Sequence, residues 1–283
     1  MEIPRPRRIA VLGVGLLGAS VLRAARERLP ETALSAWSRS EGSRAAVRDV
    51  ATVHARASEA VRGADCVILA TPVDTLPSLL TEIAPALGTE SWVTDVGSTK
   101  RGIHAAARST LGAPCRFVGG HPMAGSERGG AAAGRADLLV GRPCIITSAP
   151  ETAQGLTDRA AGLWSALGGK VVLLSPEAHD AAVAAISHLP HATACALAHC
   201  LSAGDPRLDL AAGGLRDTTR VAGGDPALWI PILLENSDHL IPLLADLEQS
   251  AGQLRAALAR RDAGSLADYL ERARSFRRRL DLP

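Results

Sequence analysis

Residues 9–20 read IAVLGVGLLGAS, an apolar run that passes without a break into Gly13-x-Gly15-x-x-Gly18. The run predicts a buried strand, and the residues after Gly15 predict the start of a helix. Each glycine has its own physical task. Gly13 allows a tight turn, Gly15 lets the backbone approach a pyrophosphate, and Gly18 permits close packing of helix on strand. Leu16 and Leu17 open the helix, whose free N–H groups and dipole would face the phosphates. A GxGxxG by itself is a weak signal. Following a strand and opening a helix, it predicts dinucleotide binding by Gly13, Gly15, Leu16, Leu17 and Gly18.

The next check lies about 20 residues on, where a carboxylate would bind the ribose hydroxyls of NAD. The sequence there is SAWSRSEGS (35–43), with Ser38 in the acidic position and Arg39 and Ser40 after it. A carboxylate repels a 2′-phosphate, whereas serine and arginine bind one. NADP is therefore favoured over NAD. Glu41 close by, and the plain reading of 38–43 as a polar loop, leave NAD open.

Working outward, apolar runs alternate with Ala/Leu-rich stretches: RIAVLG, ALSAWS, DCVILA, WVTDVG, CRFVGG, CIITS and KVVLLS. Strands that alternate with helices form a parallel sheet with crossover helices. After residue 175 the strand signals stop. The expected fold is α/β: a Rossmann-like, mostly parallel sheet domain over 1–175, then an all-α substrate-binding and dimerisation domain over 176–283. In such sheets ligands bind beyond the carboxyl ends of the strands. ATPVD (70–74), TDVGSTK (94–100) and GGHPMAGSE (119–127) should therefore converge on one crevice. This adds Thr71, Pro72, Val73 and Ser98 to the cofactor side. His121 stands out, because so glycine-rich a stretch is a poor place to bury an imidazole for packing alone.

Composition sets the outer limits. The chain has 283 residues, 47% apolar but 2% aromatic, and a net charge of +2 that argues for neither a nucleic-acid nor a membrane partner. The basic run ERARSFRRRL (271–280) reads as a solvated helix end. No stretch reads as a membrane span, the N-terminus lacks a long apolar signal segment, and five cysteines in apolar surroundings suit reduced, buried thiols, so a cytoplasmic protein is expected. The lysines are Lys100 and Lys170 alone. Lys100 heads a helix, where a cation opposes the dipole, so it either meets an anion or orders the backbone. His188 and His191 are three apart around Pro190, but no cysteine or carboxylate at metal-ligand spacing joins them, and no metal is expected.

Taken together, GVGLLGAS, DVGSTK, FVGGHPMAGSE, HDAAVAAISHLPHATACAL, GGLRDTTRVAGGDPALW and LLEN resemble the prephenate/arogenate dehydrogenase family of tyrosine biosynthesis, in order from about residue 7 to 280. GGHPMAGSE and SHLPH are far more specific than the glycine fingerprint. The resemblance implies a bare catalytic core that oxidatively decarboxylates prephenate or arogenate, with hydride passing to the nicotinamide. It implies that His121 accepts the ring hydroxyl proton and that Ser98 orients both groups. Gly119 and Gly120 would let backbone and cofactor lie close. Ser126, Ser187, His188 and His191 would line the substrate pocket, Gly213 would give a backbone contact and Arg220 would grip a carboxylate. Trp229 would reach the pocket from the second subunit of a homodimer. Glu127 would pair with arogenate's ammonium or with Arg220, a choice left open. An apolar helical stretch over 226–260 and another over 263–280 point to the same dimer. Two rival readings are a dehydrogenase of an amino-substituted prephenate analogue and a non-catalytic NADP-binding sensor.

Overall fold

The computed structural model describes residues 5–126, 128–202, 204 and 207–280. Strands β1 (Arg8–Leu12), β2 (Ala33–Trp37), β3 (Thr52–His54), β4 (Cys66–Leu69) and β5 (Trp92–Asp95) form a parallel sheet in the order β3-β2-β1-β4-β5. β1 lies at its centre, with Ile9 opposite Leu34 on one side and Cys66 on the other. Its residues divide by pleat. Ile9 and Val11 join one buried cluster with Leu22, Ile68 and Trp164, while Ala10 and Leu12 join another with Val67, Leu80 and Phe117. Both faces are covered, which is why β1 from Ile9 onward and β4 are apolar throughout and do not alternate. The strand Thr52–His54 is too short and too polar for the sequence to reveal it.

Helices α1 (Leu16–Arg28), α2 (Glu41–Ala45), α3 (Ala57–Ala60), α4 (Leu76–Ile83) and α5 (Arg101–Leu111) connect or follow these strands. β6 (Gly119–Pro122), β7 (Pro143–Thr147) and β8 (Lys170–Leu174) form a second sheet, with α6 (Leu156–Ala166) between β7 and β8. β6 runs antiparallel to β7, and Phe117 bridges in parallel to Val93 of β5. The carboxyl ends of β1, β4 and β5 share one edge of the first sheet. The strand order reverses between β1 and β4, where such sheets leave a crevice.

Beyond Leu174 the chain is helical: α7 (Pro176–Val183), α8 (Leu189–Ser202), α9 (Gly213–Thr219), α10 (Pro226–Glu235), α11 (Ser237–Ala259) and α12 (Ala263–Arg279). A single π-turn, Ala184–His188, joins α7 to α8. By compactness the chain divides into Met1–Asn236 and Ser237–Pro283, so α7–α10 belong with the sheets. A boundary near 175 marks the change from strands to helices.

Three expectations need correction. The helical stretch Pro176–Ser202 is long and apolar enough, by length and composition, to cross a membrane. It also buries His179, Asp180, His188 and His191, whose polar groups bond within the protein or sit on its interior. The helix expected over 226–260 is broken at Asn236, which ends α10 and turns its amide inward. Of the five cysteines, Cys66, Cys115 and Cys144 are buried, but Cys195 is half-buried and Cys200 exposed.

Candidate active site

The nucleotide end follows from the three glycines. Gly13 has φ +102°, and a Cβ there would collide with the backbone of Ala70. A Cβ on Gly18 would collide with the Gly13 carbonyl. Gly15 has open space on its Cβ side. It stands at the N-cap of α1, with no side-chain cap and no acidic residue in the first turn. Free N–H groups beside open space fit a pyrophosphate. Thr71 and Pro72 follow β4 and lead into a 3₁₀ turn, Val73–Thr75, where Thr75 Oγ1 donates to the Pro72 carbonyl (2.7 Å) and lies 2.8 Å from Thr71 Oγ1. At the end of β2, Ser40 caps α2 and Arg39 is exposed. Arg44 donates to the Ser38 and Arg39 carbonyls, and Glu41 is engaged by Arg44 and Arg48.

β6 positions His121, which is 8% exposed. Its Nδ1 lies 2.8 Å from His179 Nε2, and His179 Nδ1 lies 2.7 Å from Asp180 Oδ1. The orienting partner of His121 is thus His179 on α7. Ser98 is half-buried in the loop between β5 and α5, and no hydrogen bond joins it to His121. Burial pushes the His121 imidazole well below its ordinary value, and the nearby Lys100 cation, His179 and His188 push it further. Burial also lowers His179, although the Asp180 hydrogen bond opposes this. Burial would raise the Asp180 carboxyl, but its bonds from His179 and from the Arg101 and Lys100 amides hold it below the ordinary carboxylate range.

The open question about Lys100 has a structural answer. Its ammonium is fully buried and donates to Asp95 Oδ2 (2.6 Å), the Gly97 carbonyl (2.8 Å) and the Thr99 carbonyl (3.1 Å). The other Asp95 oxygen accepts from the Gly120 amide (3.0 Å). Lys100 therefore orders the loop that carries Ser98, and Asp95 ties that loop to the strand that carries His121. Gly119 and Gly120 owe their small size to this packing. A Cβ on Gly119 would strike Thr147 and Lys100, and one on Gly120 would lie 2.6 Å from the Asp95 carbonyl.

The helical side brings His188, His191 and Trp229 together. His191 stacks on Trp229 of its own chain, with ring centroids 3.5 Å apart, and His188 meets the same indole edge-on. Burial drives His188 down to about 4. His188 Nε2 is buried with no hydrogen-bond partner among the described residues. Ser187 is half-buried, Gly213 begins α9, and Arg220 lies exposed on the turn after α9. Ser126 Oγ accepts from the Arg128 amide (3.2 Å), and Glu127 lies outside the described residues. Asp95, His179, Asp180 and Asn236 carry no role in the sequence reading. The pattern HD, eight residues before SHLPH, was the available signal for two of them.

A glycine turn fit for a pyrophosphate, and a buried imidazole whose proton affinity is lowered, are the features of a nicotinamide-dependent oxidoreductase. The descriptions "Prephenate dehydrogenase, nucleotide-binding domain" and "Prephenate dehydrogenase, dimerization domain" match residues 21–173 and 175–272. The chain belongs to the prephenate dehydrogenase family. It is 34% identical over 280 residues to cyclohexadienyl dehydrogenase of Zymomonas mobilis, covering 96% of this chain and 95% of that one. It is 33% identical to prephenate dehydrogenase of Bacillus subtilis, covering 97% and 76%. Prephenate dehydrogenase from A. aeolicus, solved with hydroxyphenyl propionate and NAD+, superposes with a TM-score of 0.91 at 27% identity, covering 99% and 100%.

If Lys100 is a structural cation, Lys100→Met leaves the Asp95 carboxylate buried without its partner. Breaking such a pair costs about 3–5 kcal/mol. Thermal unfolding should show a fall in Tm of several degrees, with nucleotide affinity in the folded fraction little changed. An unchanged Tm with weakened ligand binding would assign Lys100 to an anion.

Proposed function

We propose that the protein catalyses the oxidative decarboxylation of prephenate or arogenate, giving 4-hydroxyphenylpyruvate or tyrosine, carbon dioxide and a reduced nicotinamide. The observation that carries this reading is His121, buried on β6 and held neutral with one nitrogen bonded to His179. A neutral imidazole can take the proton that a ring hydroxyl loses as hydride departs. A nicotinamide, when bound, supplies the hydride acceptor. Ser98 would meet the hydroxyl beside His121. Arg220 would take a substrate carboxylate, since a planar guanidinium suits bidentate pairing. Ser126, Ser187, His188, His191, Gly213 and Trp229 would complete the pocket. Glu127 would face either arogenate's ammonium or Arg220.

The working form is a homodimer. Leu228, Ile230 and Leu234 are exposed on α10, as are Ile241 and Leu258 on α11 and Leu270 and Phe276 on α12. So many bare apolar side chains on helices matching a dimerisation domain support a second copy as their cover.

NADP is the favoured cofactor. Glu41, at the head of α2 just after β2, is already held by Arg44 and Arg48, while Arg39 is exposed. Arg39→Ala should weaken NADP by tenfold or more, as expected when a charge-assisted contact of roughly 1.5–3 kcal/mol is lost, and leave NAD nearly unchanged. Titration with both nucleotides decides this, and equal losses would assign Arg39 to the solvated surface.

His121→Asn keeps a polar side chain of similar reach but cannot accept a proton. It should lower kcat by roughly 10²–10⁴-fold, the usual contribution of a positioned base, with nucleotide binding intact. Turnover within about threefold of the unsubstituted enzyme, well short of that range, would place the proton acceptor elsewhere. The sign of the pH dependence is set by the lowered imidazole. The base works while neutral, so kcat/KM should hold as pH falls through about 6.5, the ordinary imidazole value, and decline only below it. A decline centred at or above that value would contradict the buried setting of His121.

A further inference from the structure

The deepest side chains near His121 form a chain of hydrogen bonds whose direction can be deduced from one end. Asp180 Oδ1 accepts from the Lys100 amide (2.8 Å), and Oδ2 accepts from the Arg101 amide (3.0 Å) and from Arg101 Nε (3.2 Å). A carboxyl surrounded by N–H donors must be ionised, and an ionised carboxylate can only accept. His179 Nδ1, 2.7 Å from Oδ1, therefore carries a hydrogen. In a neutral ring this leaves His179 Nε2 bare. The bare nitrogen lies 2.8 Å from His121 Nδ1, so Nδ1 of His121 must supply the hydrogen. Nε2 of His121 is then left with its lone pair.

We propose that Asp180, acting through His179, fixes His121 in the tautomer whose Nε2 is the free base, so that both act as positioning residues for proton transfer. The inference rests on the reading of His121 as proton acceptor. The surroundings agree with it. Among the described residues, Lys100 and Arg101 at the head of α5, Asp95 on β5, His104 on α5, Cys144 on β7 and His188 on the π-turn are the other titratable or charged groups around these three side chains. Lys100 is neutralised by Asp95, and His104, lowered to about 4 by burial, bonds to Thr147 Oγ1 (2.9 Å). Asn236 holds the segment in place, donating to the Asp180 carbonyl (2.8 Å) and bonding His188 Nδ1 (3.1 Å). Among the described residues, Asp180 is thus the full charge hydrogen-bonded to the His179–His121 pair. Once His121 has taken a proton at Nε2, its Nδ1–H still points to His179, and the carboxylate beyond stabilises the cation without receiving the proton.

The test is the ring-nitrogen spectrum of the full-length protein labelled with 15N-histidine, with the His121 signals assigned by their loss in His121→Asn. At neutral pH His121 should show a protonated Nδ1 and a bare Nε2. Asp180→Asn keeps an oxygen for the α5 amides but removes the charge and can present an amide hydrogen to His179. The His121 signals should move toward the opposite tautomer, and kcat should fall by roughly 10²–10⁴-fold, as when a triad carboxylate becomes an amide. The acidic limb of kcat/KM should move to lower pH, because the anion that favours the protonated pair is gone. If that variant fails to fold, His179→Gln and His179→Leu decide. Glutamine keeps an acceptor for Nδ1–H and should retain the tautomer and most of kcat, whereas leucine should lose both. A protonated Nε2 in the unsubstituted protein overturns the proposal. So does an unmoved His121 spectrum in Asp180→Asn, or equal loss in the two His179 variants. Should His121→Asn be inactive while these signals stay unmoved, the acceptor stands and the positioning falls. Should His121→Asn turn over normally, the acceptor falls and the positioning role falls with it.

Discussion

The carboxylate of Asp180 is the point on which the site depends. It is 1% exposed, yet it carries a full charge, a combination that is costly unless every oxygen is bonded. Here one oxygen takes an amide and an imidazole, and the other takes an amide and a guanidinium. The amides belong to Lys100 and Arg101, so the same group that orients His179 also caps α5. A helix from the region after the strands is thereby bonded to a helix of the first sheet, and the catalytic candidate on the second sheet is tied to both.

A second buried carboxylate divides the work differently. Asp95 ends β5 and is fully buried with Lys100, while its remaining oxygen holds the Gly120 amide. Asp180 faces an imidazole and can tune it. Asp95 faces an ammonium and is spent on it. The pair brings the loop of Ser98 and the strand of His121 into register, and the close approach is possible because Gly119 and Gly120 lack side chains. Neutralising Lys100 also has a chemical consequence, since an unpaired cation this near His121 would make it a much poorer base.

Much of the fold was legible because its signals are local. Continuous apolar runs marked β1, β2, β4, β5, β7 and β8, and in the middle of the first sheet the reason is burial on both faces; CRFVGG meets β6 only at Gly119 and Gly120. The glycine fingerprint could be read because each glycine answers to a separate clash or opening around α1. Less local features were hidden. Thr52–His54 is an edge strand without an apolar run, and the break at Asn236 comes from an amide that bonds partners 48 and 56 residues away. His121 was visible as a histidine without a packing reason. His179 and Asp180 were not, because a helix carrying HD looks like any other until its partner strand is in place. Ser98, expected to orient His121, makes no hydrogen bond to it, and the side chain bonded to His121 is His179.

As we propose it, this buried network is catalytic machinery and not the remnant of a nucleotide-binding fold. It is tested most directly by mixing the purified protein with prephenate or arogenate and NADP+, and following absorbance at 340 nm together with released carbon dioxide. The account predicts reduction of the nucleotide with one carbon dioxide released for each nucleotide reduced, for at least one of the two substrates. Tight nucleotide binding with no reduction by either substrate would contradict it.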